Sequence, residues 1–389
     1  MQRHYGMDWL RIGAFGLLIL YHVGMVFVPW NYHVKSTHIH DWTKLPMLAL
    51  NAWRLSLLFV VSGYASRALI GRSAGLLAFA GNRSARLLVP LVFGMAVIVP
   101  PQPWVELVTK HGLDASFPTF WWQDYFRFTK MHGLDLPTWN HLWFVAYLWV
   151  YTMLLIVLAA LVRTPRAQAL FDRVFAKSFW GVGVLVVPLA WLLAVHVWWF
   201  PMKGETHALF GDWIAHANYL PAFLFGFGLA RSEKTMAAIA RLWPLATVLA
   251  LAGYGVVLWA ETGWPGGTPA PRWALRLYSG AHAVQQWGAI IALIGVAERW
   301  LNRDRPIRAT LTEAVFPFYI IHQTVIVVVM FWLLGAGLPG WAEFAILVGA
   351  TVAGCLAFYL GGRAVPWLRP LIGLRRRPAP RRLREPALV

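Results

Sequence analysis

From Leu142 to Val162 the chain reads LWFVAYLWVYTMLLIVLAALV without a single charged side chain. About 20 apolar residues in a helix cross the ~30 Å hydrocarbon core of a bilayer. Inside that core every backbone group must find its hydrogen bond within the protein, which leaves helices and closed barrels as spanning structures. Similar runs recur along the chain. They are continuous rather than alternating, so helices and not barrel strands are expected. Composition agrees: 59% of the 389 residues are hydrophobic and 13% are charged, about half the charge of a soluble domain. The expected fold is an all-α integral membrane protein with about ten transmembrane helices in one bundle. Candidate spans lie near 9–30, 46–69, 87–103, 141–162, 179–200, 216–230, 242–260, 279–298, 314–334 and 342–362. The third and sixth are short and hold prolines (Pro90, Pro100 and Pro101; Pro221), so breaks or tilts are expected there. A membrane domain over 1–370 and a basic tail over 371–389 complete the expected organisation.

The formal net charge of +18 invites a nucleic-acid reading, but its distribution points to the membrane. Basic residues gather in alternate connections: Arg72, Arg83 and Arg86; Arg163, Arg166, Arg173 and Lys177; Arg231, Lys234 and Arg241; Arg299, Arg303, Arg305 and Arg308; then the tail RRRPAPRRLRE from Arg375. The intervening connections hold fewer. Under the positive-inside rule both termini face the cytoplasm, with the basic stretches against anionic lipid. No nucleic-acid recognition motif accompanies the charge. The single cysteine, Cys355, lies in an apolar run, which excludes an intrachain disulfide and a cysteine-based metal site. The first apolar segment has no small-residue cleavage site and reads as a retained span. The longest outer loop, about 104–140, is rich in Trp and Phe, which form an interfacial belt or stack on sugar rings.

The first span, MDWLRIGAFGLLILYHVG, carries Arg11 and His22. Eleven residues at ~100° each bring the two within ~20° of the same face, about 16 Å apart along the axis. Arg11 then lies near the cytoplasmic edge and His22 near mid-membrane. Asp8 stands three residues before Arg11, a spacing that permits an ion pair. Arg11 either snorkels to the interface or serves a site. For His22 the functional reading is stronger, because ionisable groups deep in a span mark pathways and reactions. A neutral imidazole takes a proton from a hydroxyl and returns it to a leaving group.

An Arg, ten residues and a His in the first span resemble the signature of the acyltransferase-3 family of membrane O-acyltransferases. Within it the opening is similar to the glucan succinyltransferase branch, of the glucans biosynthesis protein C type. LFVVSGYASR (Leu58 to Arg67) resembles the family's Phe-rich Ser-Gly motif, in which Ser62 gives structural support. NRSARLLVP (Asn82 to Pro90) resembles its Arg-x-x-Arg element, HLWFVAYL (His141 to Leu148) its His-Leu-Trp-Phe helix start, and FPFYIIHQ (Phe316 to Gln323) its late Tyr-x-x-His element. Arg67, directly after the Ser-Gly stretch, has no role in that pattern.

The resemblance implies transfer of an acyl group, acetyl or succinyl, from cytoplasmic acyl-CoA to a hydroxyl of an extracytoplasmic glycan or glucan. Acyl-CoA is then a donor substrate, with no cofactor held permanently. His22 is the expected general base, His322 a second catalytic group because it shares depth with His22, and either His322 or nearby amides assist the oxyanion. Arg11, Arg83 and Arg86 are candidates for the CoA phosphates, which guanidinium suits through bidentate hydrogen bonds. Asp8 supports Arg11. His141, at the outer start of the fourth span, and His282, with Gln285 and Gln286 one turn on, are candidates for the acceptor or acyl group. Arg54 costs about 2.5–3.5 kcal/mol in a span unless paired or hydrated. It either binds a carboxylate such as succinyl's free acid or meets a carbonyl.

Other signals carry less. HALFGD (His207 to Asp212) has a His-x4-Asp spacing that arises readily by chance. KHGLD and MHGLD (Lys110 to Asp114; Met131 to Asp135) and the His-rich HVKSTHIHD (His33 to Asp41) read as polar outer loops, and no metal site is expected. The rival function is a transporter or flippase of a glycan-type substrate, which broken helices and midplane polar residues also suit.

Overall fold

The computed structural model describes residues 4–162, 164–201, 203–265 and 268–375. Arg163 and tail residues 376–389 lie outside the described residues. Every long element is a helix, as expected. Helix α1 (Tyr5–Gly24) is followed by a short α2 (Lys44–Asn51) that leads into α3 (Arg54–Ile70). Next come α4 (Leu76–Phe93) and α5 (Pro101–His111). The long loop after them holds one helical turn, α6 (Phe117–Thr119), and a small antiparallel hairpin of β1 (Lys130–Met131) and β2 (Leu134–Asp135). The chain then forms α7 (Trp143–Leu161), α8 (Pro165–Ser178), α9 (Gly183–Leu193), α10 (Trp213–Leu229), α11 (Glu233–Gly263), α12 (Arg272–Trp300), α13 (Pro306–Leu333), α14 (Gly340–Ala364) and a last turn, α15 (Leu368–Leu371).

Local chemistry explains the breaks. Pro90 lies inside α4, and the helix loosens into a wider π turn over Gly94–Ile98 before restarting at Pro101. A proline removes a rung of the helical ladder, and π turns relieve such defects. The expected break in the third span is therefore present. The sixth span differs: α10 runs unbroken through Pro221. The sharpest bend falls where the fifth expected span begins, between α8 and α9, which meet at 89°. Thr164 caps α8 by accepting from Ala167 N, which starts that helix inside a basic connection.

Among the described residues seven helical stretches are long and apolar enough to cross a membrane, eight if the bent pair counts as one span. Helices α1 and α10 are not among them, so the expected count of about ten is not reached on length and composition. Both still pack inside the bundle. Helix α10 lies so close to α3 that a Cβ at Gly63 would collide with the Phe223 carbonyl, and one at Gly226 with that of Val60. The Ser-Gly motif is thus a packing seam of the small-residue kind used between membrane helices. Ser62 takes part through its carbonyl, which accepts from Ser66 Oγ at 2.8 Å. Residues 371–375, grouped with the tail by sequence, are docked on the bundle: Ile372 and Leu374 are buried.

Candidate active site

Helices α1 and α13 pack along each other and bring together two histidines 300 positions apart. His22 Nδ1 lies 2.9 Å from His322 Nε2. The other nitrogen of His322, Nδ1, is 2.7 Å from the Tyr319 carbonyl. A carbonyl only accepts, so His322 Nδ1 carries the proton and its Nε2 accepts from His22 Nδ1–H. The remaining nitrogen of His22, Nε2, is then a bare lone pair, with no hydrogen-bond partner among the described residues. His322 is fully buried, while His22 is partly accessible.

This wiring corrects one expectation. The single N–H of neutral His322 is taken by Tyr319, so it has none left for an oxyanion. It orients His22 instead. Behind it, His141 stands edge-on at 5.0 Å between ring centroids. His141 Nε2 donates to the Ile320 carbonyl at 3.0 Å and its Nδ1 accepts from Gln102 Nε2 at 3.4 Å. Both ring nitrogens are engaged, so His141, expected near the acceptor, braces His322.

A second polar chain continues from there, and the sequence reading missed most of it. Gln102 Oε1 accepts from Gln323 Nε2 and Asn140 Nδ2, both at 3.0 Å. Gln323 also donates to His33 Nε2 at 3.1 Å, and His33 Nδ1 donates to Glu106 at 2.6 Å. Lys110 closes the chain on Glu106 at 2.8 Å. Gln102 and Glu106 stand four apart, hence on one face of α5. That spacing was the available signal. His33 came from the His-rich loop that had been set aside. Among the described residues no group of three metal-ligating side chains occurs.

Two sets of cavities flank the histidine pair at opposite ends of the bundle. At the end holding the N-terminus, a cavity of about 930 Å³ is lined by Arg11, Arg67, Arg72, Arg86 and Arg231. It adjoins another of about 1100 Å³ that shares Arg72 and Arg86 and adds Arg83. The arginines divide into two kinds. Arg67 is bonded to both oxygens of Asp172 at 2.8 and 2.9 Å, which gives it a structural place. Among the described residues no carboxylate lies within ion-pair distance of Arg11, Arg83 or Arg86. Arg11 donates to the Thr312 carbonyl at 3.3 Å. The expected Asp8–Arg11 pair does not form: Asp8 pairs with Arg308 of α13 at 2.5 Å, a partner sequence spacing cannot reveal.

At the opposite end a cavity of about 410 Å³ is lined by Arg54, His282, Gln286 and Glu205. The Arg54 guanidinium lies 3.5 Å over the Tyr21 ring and donates to Asn51 Oδ1 at 2.6 Å. Tyr21 in turn stands edge-on to His22 at 6.0 Å. His282 is 6.1 Å from His196 and has no contact with the His22–His322 pair. Gln285 bonds the Leu48 carbonyl and Gln286 bonds Ser56 Oγ, both at 2.9 Å, so these two amides staple α12 to the segment that begins α3.

Fold and site together define a multi-pass membrane protein with a buried imidazole pair between a basic cavity and a mixed polar one. Its acyltransferase domain matches residues 4–360, and the chain belongs to the acyltransferase-3 family. It is 29% identical over 153 residues to glucans biosynthesis protein C of Shigella dysenteriae serotype 1 (strain Sd197), covering 39% of this chain and 38% of that protein. To glucans biosynthesis protein C of Escherichia coli (strain K12) it is 28% identical over the same length, again covering 39% and 38%. The chain therefore spans about two-fifths of the length of the curated relatives it matches. No solved structure matches it.

Proposed function

We propose that the chain is a membrane O-acyltransferase that moves an acyl group from acyl-CoA to a hydroxyl of a glycan or glucan. The observation that carries this is the His22–His322 pair, with one imidazole lone pair open and the other ring fixing its tautomer. Such an arrangement follows the logic of a nucleophile's base held by a third group.

In the proposed step His22 Nε2 removes the proton as the acceptor oxygen attacks the thioester carbonyl. The tetrahedral intermediate collapses with cleavage of the C–S bond. The departing thiolate takes the proton back from His22, so no proton leaves the site. Meanwhile His22 Nδ1 keeps its bond to His322, which holds the ring in place through both transfers. Acyl-CoA would enter from the arginine-lined end, where Arg11, Arg83 and Arg86 have guanidinium donors for phosphate oxygens. That end would face the cytoplasm of a bacterial inner membrane, with both termini, and the chain would make ten passes. The acceptor would come from the other side. Acetyl and succinyl donors both fit this scheme. The relatives, being glucans biosynthesis proteins, support a glucan acceptor.

The test is release of free CoA by purified, reconstituted protein with a panel of donors and glycan acceptors. His22→Ala should lower acceptor-dependent release by about 10²–10⁴-fold, the range of a general base. Wild-type protein that moves glycan across the bilayer but releases no CoA would instead establish a transporter.

A further inference from the structure

The cavity at the end away from the N-terminus contains a carboxylate that the mechanism does not use. Glu205 belongs to the loop between the π turn after α9 and α10. Its neighbours Lys203, Gly204 and Thr206 are exposed, while its own side chain turns into the bundle. There Oε1 accepts from Asn218 Nδ2 at 3.1 Å, and Oε2 accepts from Tyr219 Oη at 2.5 Å and His207 Nε2 at 3.3 Å. Burial alone would raise its pKa. The hydrogen bonds from His207 and Tyr219 outweigh that and hold the carboxyl below its usual range, so it stays ionised at neutral pH. An ionised carboxylate has about four acceptor positions. Three are filled by the protein, and the open one is on Oε1.

Arg54 lines the same cavity. Of its five N–H donors, the one directed to protein goes to Asn51, and its Nε is buried without a partner. No ion pair joins Arg54 to Glu205. Glu205, with one acceptor position free, and the Arg54 guanidinium thus line one chamber, together with the rings of Tyr219, Tyr278 and Phe200. At about 410 Å³ it is the size of a small-ligand site. A hydroxyl both donates and accepts, so a ring bearing adjacent hydroxyls satisfies both walls, while its C–H face suits an aromatic side chain.

The loop that delivers Glu205 is held in a costly shape. His207 and Leu209 have φ of +56° and +65°, left-handed values that non-glycine residues seldom adopt. Asp212 and Tyr147 fix the turn: Asp212 Oδ2 accepts from His207 N and from Tyr147 Oη, both at 2.8 Å, and Leu209 N donates to Tyr147 Oη at 2.9 Å. The His207 ring stacks on Trp143 at 4.0 Å. The HALFGD segment is therefore a clamp for Glu205 and not a catalytic motif. Strained backbone held this firmly is concentrated at binding and catalytic sites.

We propose that this cavity is a carbohydrate subsite for a neutral hexose unit of the acceptor, with Glu205 as its hydroxyl-accepting, specificity-determining residue and Arg54 as the opposing donor. The proposal rests on the acyltransferase reading and adds to it the residue that selects the acceptor.

The experiment compares full-length wild type with Glu205→Gln, a change that keeps shape and removes the charged acceptor. Glucose oligomers are titrated calorimetrically without donor, and KM is measured separately for oligomer and acyl-CoA. Losing one charge-assisted hydrogen bond should weaken oligomer binding and raise its KM by about tenfold or more, with acyl-CoA KM unchanged. An unchanged oligomer KM, or an equal rise in both KM values, overturns the proposal. If Glu205→Gln misfolds, Phe200→Ala on the same wall carries the same prediction. If wild type turns over no donor, the acyltransferase reading fails. Oligomer binding, present or absent, then decides the subsite by itself.

Discussion

A histidine oriented by another histidine gains less than one oriented by a carboxylate. His322 offers His22 a lone pair but no negative charge, so it fixes the tautomer without strongly stabilising an imidazolium. A side chain that only accepts from His22 Nδ1 should replace it in part. His322→Gln is therefore expected to keep more activity than His322→Ala, which should lose about 100-fold or more in kcat. Equal losses measured by CoA release would show that His322 does more than hold its neighbour. A second histidine acts at the surface. His4 Nδ1 lies 3.0 Å from both Glu298 oxygens, and that carboxylate holds the imidazole pKa above its usual range despite partial burial. Its stabilisation is full below about pH 6.5, the unfolded value, and is lost as pH rises through the higher folded value. His4→Ala should thus lower the thermal midpoint at pH 5.5 by more than it does at pH 9. An equal difference at both would contradict the pairing.

At the scale of elements, the α3–α10 seam decides whether the bundle closes. A side chain at Gly63 must displace the Phe223 carbonyl, which is backbone and cannot give way. Overpacking of this kind costs about 1–3 kcal/mol or more. Gly63→Val should lower the unfolding midpoint in detergent, while Gly16→Ala, whose Cβ would meet nothing within 4 Å, should leave it unchanged. Helix positions were legible in the sequence because hydropathy over about 20 residues is itself the requirement for spanning. Pro100 and Pro101 mark the interruption of the third span, whereas α4 runs through Pro90 itself. Pro221 did not break the sixth, because a helix packed on its neighbours absorbs one missing rung. The turn of α8 away from α9 was not legible, since its amphipathic run merges into the apolar one that follows.

Across the whole molecule, the residues that matter sit far apart in sequence. His22 was legible from its depth in a span, and His322 from sharing that depth. That the two touch is a consequence of α1 lying along α13. Asp8 met Arg308 and not Arg11 for the same reason: a partner 300 positions away outcompetes one on the same helix. Glu205 carried no motif, since a lone polar residue gains meaning only from what the fold sets beside it, and Gln102 and Glu106 offered only their four-residue spacing. The resulting molecule has a basic cavity at one end, a mixed polar cavity at the other and a histidine pair between them. In the proposed reaction donor and acceptor meet at His22 from opposite sides. The most direct test uses oriented proteoliposomes with acyl-CoA on the side of the N-terminus and a glucan on the other. Acylated glucan is expected on the glucan side with wild type, and about 10²–10⁴-fold less with folded His22→Ala. Product formed only when both substrates share one side would contradict it.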